Sequence, residues 1–418
     1  MFYNKNNQIK LSDELFKNPT AEYRGAPFWA WNSKLEKDEL ARQIEVFKQM
    51  GFGGFHMHVR QGLETAYLSE EFLSAVKFCT EKAEKEDMLA YLYDEDRWPS
   101  GVAGGEVTKT LANRQKFLTM SVNDRQDCAK SPEESANTGK PYFICAFDLS
   151  FNEQGILTKI EKVERNAVCN NKRYFFIEQQ QGGEPRYNYQ SYVDTLNKSA
   201  IDTFIMLTHE KLKGAVGNKF SKSIPSIFTD EPQYIPNFPP KSATDIRDVR
   251  FAWTTDFDKT YYQTYSCNIT EYLPYLFYAA IDEKALSVRF NYYTHLTERF
   301  CQAYMDNVGD WCAKNQIMMT GHLMGEDTLY EQALSTGDVM RTYKNMQLPG
   351  IDLLCDDVSF VTPLQCRSVV RQYGREAMLS ELYGVTGWDF DFRGHKYQGD
   401  WQACLGVTLR VPHLAWQS

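Results

Sequence analysis

Gly25-Ala-Pro-Phe-Trp-Ala-Trp-Asn32, Gly53-Gly-Phe-His-Met-His-Val-Arg60 and Met88-Leu-Ala-Tyr-Leu-Tyr-Asp-Glu-Asp96 are three short apolar runs of strand character, bounded by glycine or ending in charge. Between the first two, Ser33-Lys-Leu-Glu36 has the pattern of a capping box, Leu40, Ile44, Phe47 and Met50 fall at helical spacing, and Gly51 stops the helix. Between the second and third, a helix is predicted from about Ser69 to Glu86, with Phe72, Val76, Cys79 and Ala83 on one face. Consecutive strands separated by helices cannot close a hairpin, so they pair in parallel, and the fold is α/β.

Outward from this stretch the rhythm breaks and then returns. Strand-like runs at Lys116–Val122, Tyr142–Leu149, Ile156–Val163 and Arg173–Gln179, with polar spacers, predict a β-rich insertion over 106–189 after the third strand. The alternation resumes with a helix near Thr195–Leu212 and strands near 227, 319, 353, 379 and 411. Counted with those near 28, 55 and 91, these make eight, the number of a (β/α)8 TIM barrel formed by 1–105 and 190–418. The chain stops at Ser418, just after the eighth strand, with no closing helix predicted.

Composition narrows the function classes. Lys and Arg total 46 against 55 Asp and Glu, a formal charge of −9, so no basic excess exists for nucleic acid. No uninterrupted apolar run approaches the ~18 residues of a membrane span. The start, MFYNKNNQIKLSDELF, has no apolar core of a secretory signal, and the 10 cysteines form no CxxC pair. A cytoplasmic protein in a reducing compartment is expected, with neither a zinc ribbon nor a disulfide framework. Aromatic residues make up 14%, enough for a core and for the ring platforms on which sugar C–H faces pack.

A barrel of this kind carries its chemistry at the C-terminal strand ends. Those ends hold Trp31 and Asn32, then His56, His58 and Arg60, then Asp94 to Trp98, then Asp230 and Glu231. They continue with His322 followed by Glu326, then Asp356 and Asp357, then Glu381 and Tyr383, and lastly His413 and Trp416. Paired carboxylates are the sharpest feature, because glycoside cleavage needs one protonated acid and one ionised carboxylate. Thr229-Asp-Glu-Pro232 and Ser380-Glu-Leu-Tyr383 put Glu231 and Glu381 forward, with two solvated or arginine-paired strand-end acids as the plain alternative. Trp31, His56, His58, Asp94, Asp96, Trp98, His322, Glu326 and Trp388 are the candidates for binding substrate.

Two other readings stay open. Residues two apart on a strand share a face, so His56 and His58 point the same way and, with His322, suit a barrel metallohydrolase. That constellation is incomplete, because no carboxylate stands at the eighth strand. The acidic run from Asp94 to Asp96 either holds a sugar diol or a hard cation, or pairs with Arg97 to stabilise a tight turn. A non-catalytic carbohydrate-binding barrel is the remaining alternative.

Pro27-Phe-Trp-Ala-Trp-Asn32, the helix Leu40–Met50 leading into Gly51-Phe-Gly-Gly, Tyr93-Asp-Glu-Asp-Arg-Trp-Pro-Ser-Gly101 and Phe228-Thr-Asp-Glu-Pro232 resemble glycoside hydrolase family 106, the α-L-rhamnosidases. Thr320-Gly-His-Leu-Met324 and Leu379-Ser-Glu-Leu-Tyr-Gly384 fit the same pattern. The resemblance implies a (β/α)8 catalytic domain, hydrolysis of terminal α-L-rhamnosides with inversion, and calcium as the candidate ion at the sugar site. It carries the acid and base onto Glu231 and Glu381 without saying which is which, with Glu326 as a third candidate. Members of the family continue into β-sandwich domains, so missing C-terminal domains are expected, and the unclosed barrel end makes a homo-oligomer the other expected partner besides the carbohydrate.

Overall fold

The computed structural model describes residues 10, 12–354 and 358–418. Its centre is a parallel sheet rolled into a barrel. The strands are β1 (Phe28–Trp31), β2 (Gly54–Val59) and β3 (Leu89–Tyr93). After four strands of a second sheet, β4 (Lys116–Ser121), β5 (Tyr142–Phe151), β6 (Leu157–Val163) and β7 (Lys172–Gln179), the barrel resumes at β8 (Ser226–Asp230). The second sheet takes one more strand, β9 (Val249–Trp253), before the barrel ends with β10 (Met318–His322), β11 (Leu348–Leu353), β12 (Leu379–Leu382), β13 (Leu409–Pro412) and β14 (Ala415–Trp416).

Neighbours run β13-β12-β11-β10-β8-β3-β2-β1-β14. The eighth barrel position is therefore one strand in two pieces. β13 pairs with β12 and β14 with β1, both in parallel. Ala26 N–H donates to the Arg410 carbonyl at 3.0 Å and Gln417 N–H to that of Ala30 at 3.0 Å, which carries the ring across the seam. All eight strand positions expected from sequence lie in this ring.

Side chains on alternate residues face inward. The ring is filled by Phe28, Tyr91, Phe228, Met318, Leu348 and Leu379, with Phe28 and Phe228 edge to face at 5.0 Å. Burying each such side chain contributes about 2 kcal/mol, so the barrel centre is packed core and leaves chemistry to its upper rim. The outward residues Trp29 and Trp31 join the layer of helices, which starts with Lys37–Gln49 and Glu70–Lys85.

Two local expectations are corrected. Ser33 does not cap the first of these helices: Glu36 stands at its N-cap without a side-chain bond. Ser33 Oγ donates instead to Gln417 Oε1 at 2.7 Å, tying the first βα loop to the last strand. The antiparallel sheet, in the order β6-β5-β7-β4-β9, is not confined to 106–189, because β9 reaches it from beyond the fourth barrel strand. That strand was hidden among the proline-rich and charged residues around it. Asp356 and Asp357 lie outside the described residues. No helix among the described residues is long and apolar enough to cross a membrane.

Candidate active site

Parity decides which strand-end residues meet. Two residues beyond the interior side chains Phe228, Leu379 and Val411 stand Asp230, Glu381 and His413, and His322 tops β10 on the same face. Register brings them level, with His322 opposite Asp230 and Asp352 opposite Glu381. Gly321 permits the approach of β10 to β8, since a Cβ there would lie 1.8 Å from the Thr229 carbonyl oxygen.

His322 is the hub. Its Nε2 lies 2.8 Å from Glu381 Oε2 and 3.4 Å from Asp230 Oδ1. The other oxygen of Asp230 accepts the Tyr93 hydroxyl at 2.5 Å and lies 3.9 Å from His58 Nε2. From below, Phe228 meets the His322 ring edge to face. On the far side of Glu381, Oε1 is 3.9 Å from His413 Nε2, which in turn is 3.4 Å from Arg60 Nη2.

Glu231 follows Asp230 in the left-handed region, at φ 46°. A non-glycine residue there carries backbone strain. The turn is held by its own N–H donating to the His322 carbonyl at 3.2 Å. It breaks the strand's alternation, so that consecutive carboxylates both come to His322. Two clusters result, Asp230–His322–Glu381 and Glu231–His322–Asp352, whose ligand atoms lie within 4.8 Å of one another in each. Glu231, Glu326 and Asp352 border one cavity of about 550 Å³. Glu326 accepts the Leu323 N–H at 2.6 Å, and its Oε2, like Asp352 Oδ1, is buried without a hydrogen-bond partner.

The electrostatics separate the acids. Burial, then the adjacent Asp230 charge, pushes the Glu231 carboxyl up to about 8 against the pull of His322. Burial also opposes ionisation of Asp230, yet His58, His322 and the Tyr93 hydroxyl together hold it below the ordinary range. Burial works against the His322 imidazolium, but Asp352, Glu381 and Asp230 outweigh it and raise that pKa well above the usual value. Glu381 is raised by burial and drawn back by the His322 bond. Burial pushes Glu326 up to about 7 and, with the Glu381 charge, puts Asp352 well above its usual value.

Other expected site residues stand elsewhere. His56 lies a layer lower, stacked on Tyr91 at 4.4 Å, with Nδ1 3.0 Å from the Ala26 carbonyl. Neither His56 nor His58 joins a ligand cluster with His322 among the described residues, so the metallohydrolase constellation is not assembled. Trp31 is fully buried in the helix layer against Trp29 and Phe72 and lines no cleft. Asp94 also points outward, accepting Ser100 Oγ at 2.6 Å with His209 3.9 Å away. Both carry the wrong parity, because Phe28 and Tyr93 are the inward residues of their strands. Asp96 holds Arg97 and Asn188. Trp98 lies under the Arg186 guanidinium at 4.3 Å, at a second cavity of about 410 Å³. Trp388 is fully exposed and borders neither cavity.

The acidic run proves to be turn structure. Glu95 accepts the amides of Asp96, Gly101, Val102, Ala103 and Gly104 at 2.6–2.9 Å. Its carboxylate is the frame of the loop and has no face left for a sugar. Asp352 was missed by the sequence reading, which looked past the strand end to the next acids. Its only signal is its place four residues after inward Leu348.

The fold has a counterpart among solved structures. The rhamnosidase from Novosphingobium sp. PP1Y superposes with a TM-score of 0.67 at 12% identity, over 98% of this chain and 57% of that one. This barrel has that rhamnosidase's fold. The likeness is one of fold, and the chain spans little more than half the rhamnosidase's length. A Flavobacterium johnsoniae chitobiase aligns at a TM-score of 0.33 and 9% identity, over 86% of this chain and 38% of its own. No family model matches the chain, and no curated protein matches it by sequence.

Proposed function

We propose that this protein is a glycoside hydrolase that removes a terminal sugar with inversion, Glu231 serving as general acid and Glu381 as general base. The observation that carries this reading is the different company the two acids keep around one imidazole: burial raises both, and the His322 bond draws Glu381 back. Glu231, pushed up to about 8, keeps its proton at neutral pH, whereas Glu381 accepts a hydrogen bond from a ring held in its charged form. An acid and a base whose environments drive them apart are what the reaction requires.

In the proposed step Glu231 gives its proton to the glycosidic oxygen as the bond to the anomeric carbon breaks. A water attacks that carbon from the opposite face and passes a proton to Glu381. The His322 imidazolium favours the ionised form of Glu381 against the effect of burial, and Asp230, anchored by the Tyr93 hydroxyl, keeps His322 charged and oriented. Inversion calls for about 6.5–9.5 Å between the two carboxyl groups, room for the water.

The α-L-rhamnoside specificity of glycoside hydrolase family 106 is part of the proposal, supported by the sequence resemblance and by a rhamnosidase of like fold. Calcium belongs to it as well. The orphaned oxygens of Asp352 and Glu326 beside Glu231 fit a cation that takes oxygen ligands. Glu326 and Asp352 would hold it, and it would supply positive charge for the sugar hydroxyls.

The test is a panel of nitrophenyl glycosides, with and without calcium, on the parent protein and on Glu231→Gln and Glu381→Gln. Cleavage of the α-L-rhamnoside, a first product of inverted configuration by NMR, and loss of most turnover in both variants are expected. Near-native turnover in either variant removes that residue from its role. Sugar binding without cleavage across the panel would instead favour a non-catalytic carbohydrate-binding barrel.

A further inference from the structure

The second cavity, at the ends of β2, β3 and β14, has a chemistry that hydrolysis does not use. It is bordered by Arg60, Arg97, Arg186, Trp98 and Trp416, with Gln61 and Pro185, and no carboxylate. On a chain of formal charge −9 this is a local reversal of sign. Arg97 is neutralised by Asp96 at 3.1 Å. Among the described residues, Arg60 and Arg186 form no ion pair: Arg60 meets His413, and Arg186 lies over the Trp98 ring. Two indoles flank these guanidinium groups, and Trp416 is held in place by the pairing of β14 with β1.

The cavity adjoins the proposed catalytic centre, because Arg60 reaches Glu381 through His413. Guanidinium forks match carboxylate and sulfate oxygens, and indole faces take the C–H side of a pyranose.

We propose that this cavity is a subsite for an anionic sugar, one bearing a carboxylate or a sulfate, flanking the sugar that Glu231 and Glu381 attack. The inference rests on the glycosidase reading for its place in a substrate, and it names that substrate's class: an acidic oligosaccharide or polysaccharide.

The test uses the intact protein and calorimetric titration with trigalacturonic acid, its neutral methyl ester and a sulfated galactose disaccharide. Charge-assisted hydrogen bonds to two open guanidinium groups lead us to expect the acid to bind at least about tenfold more tightly than the ester, with the difference shrinking in salt. Arg186→Gln, at an exposed position, should lose most of that preference, and Arg186→Lys should keep part of it. The tighter of the two anionic probes identifies the natural group. Equal binding of acid and ester, or a preference that survives in Arg186→Gln, overturns the inference. Binding of the acid by a protein inactive on every nitrophenyl glycoside would defeat the glycosidase reading and leave the anion site standing.

Discussion

His322 Nε2 stands 2.8 Å from Glu381 Oε2, and both groups are buried. A buried carboxylate that has lost its water needs a charged donor to stay ionised, and this ring hydrogen-bonds it. His322→Gln keeps a donor but removes the charge. Turnover should fall by about two orders of magnitude, the scale of one general acid–base contribution. Its pH profile should move as well, with the base limb rising as Glu381 loses its charged partner. An unshifted profile with normal turnover would sink the pairing.

The pH dependence of activity follows from Glu231. With its carboxyl pushed up to about 8, the acid is protonated below that pH and spent above it. In the calcium-free protein the alkaline limb of kcat/KM is therefore expected near pH 8, and it should vanish for substrates whose leaving group needs no proton, such as dinitrophenyl glycosides. A limb unchanged with such leaving groups would assign it elsewhere.

Stability responds to the same group with a definite sign. A carboxyl raised above its unfolded value of 4.5 costs nothing while both states are protonated. It destabilises the fold increasingly as pH rises from about 4.5 through about 8. Glu231→Gln removes that cost, so the variant should be more stable than the parent at pH 9, by on the order of 1 kcal/mol or more, and unchanged at pH 4. Thermal melts at the two pH values check it.

The Glu95 loop frame gives a structural counterpart. Replacing its carboxylate by an amide points N–H at backbone N–H, and Glu95→Gln is expected to cost about 2–4 kcal/mol by denaturant unfolding. Because the same loop carries Ser100, which accepts the Asp230 N–H at 2.9 Å, turnover should fall with it. A variant of parental stability would show that the five amides are content with water.

For the cation, removal with EGTA should reduce turnover at least about tenfold if it orders the sugar hydroxyls, and Asp352→Asn should weaken calcium binding by a similar factor, as a lost charged ligand commonly does. Turnover indifferent to EGTA would take calcium out of the proposal.

Local pattern made the barrel legible. Apolar runs of four to six residues, spaced by amphipathic helices, admit no antiparallel reading, and acids directly after such runs must sit at a strand end. Glu231, His322 and Glu381 were visible for that reason. Two of the errors share one cause. Trp31 and Asp94 were placed by nearness to a strand end, and the inward or outward parity of a strand is set by which residue packs in the ring. The left-handed turn at Glu231 overrides parity altogether, and nothing in Thr-Asp-Glu-Pro announces it.

By itself, then, the order of residues determined the eightfold alternation and the rim on which chemistry would collect, because hydrophobic periodicity and glycine stops act over a few neighbours. Only the tertiary structure decided which rim groups share a proton economy. Asp352 and Glu381 become partners through strand register, and Arg60, Arg186 and Trp416 border one cavity although they come from β2's end, the β7 connection and the final strand. Such neighbours are set by long-range packing, where residues hundreds of positions apart meet through the closure of the ring.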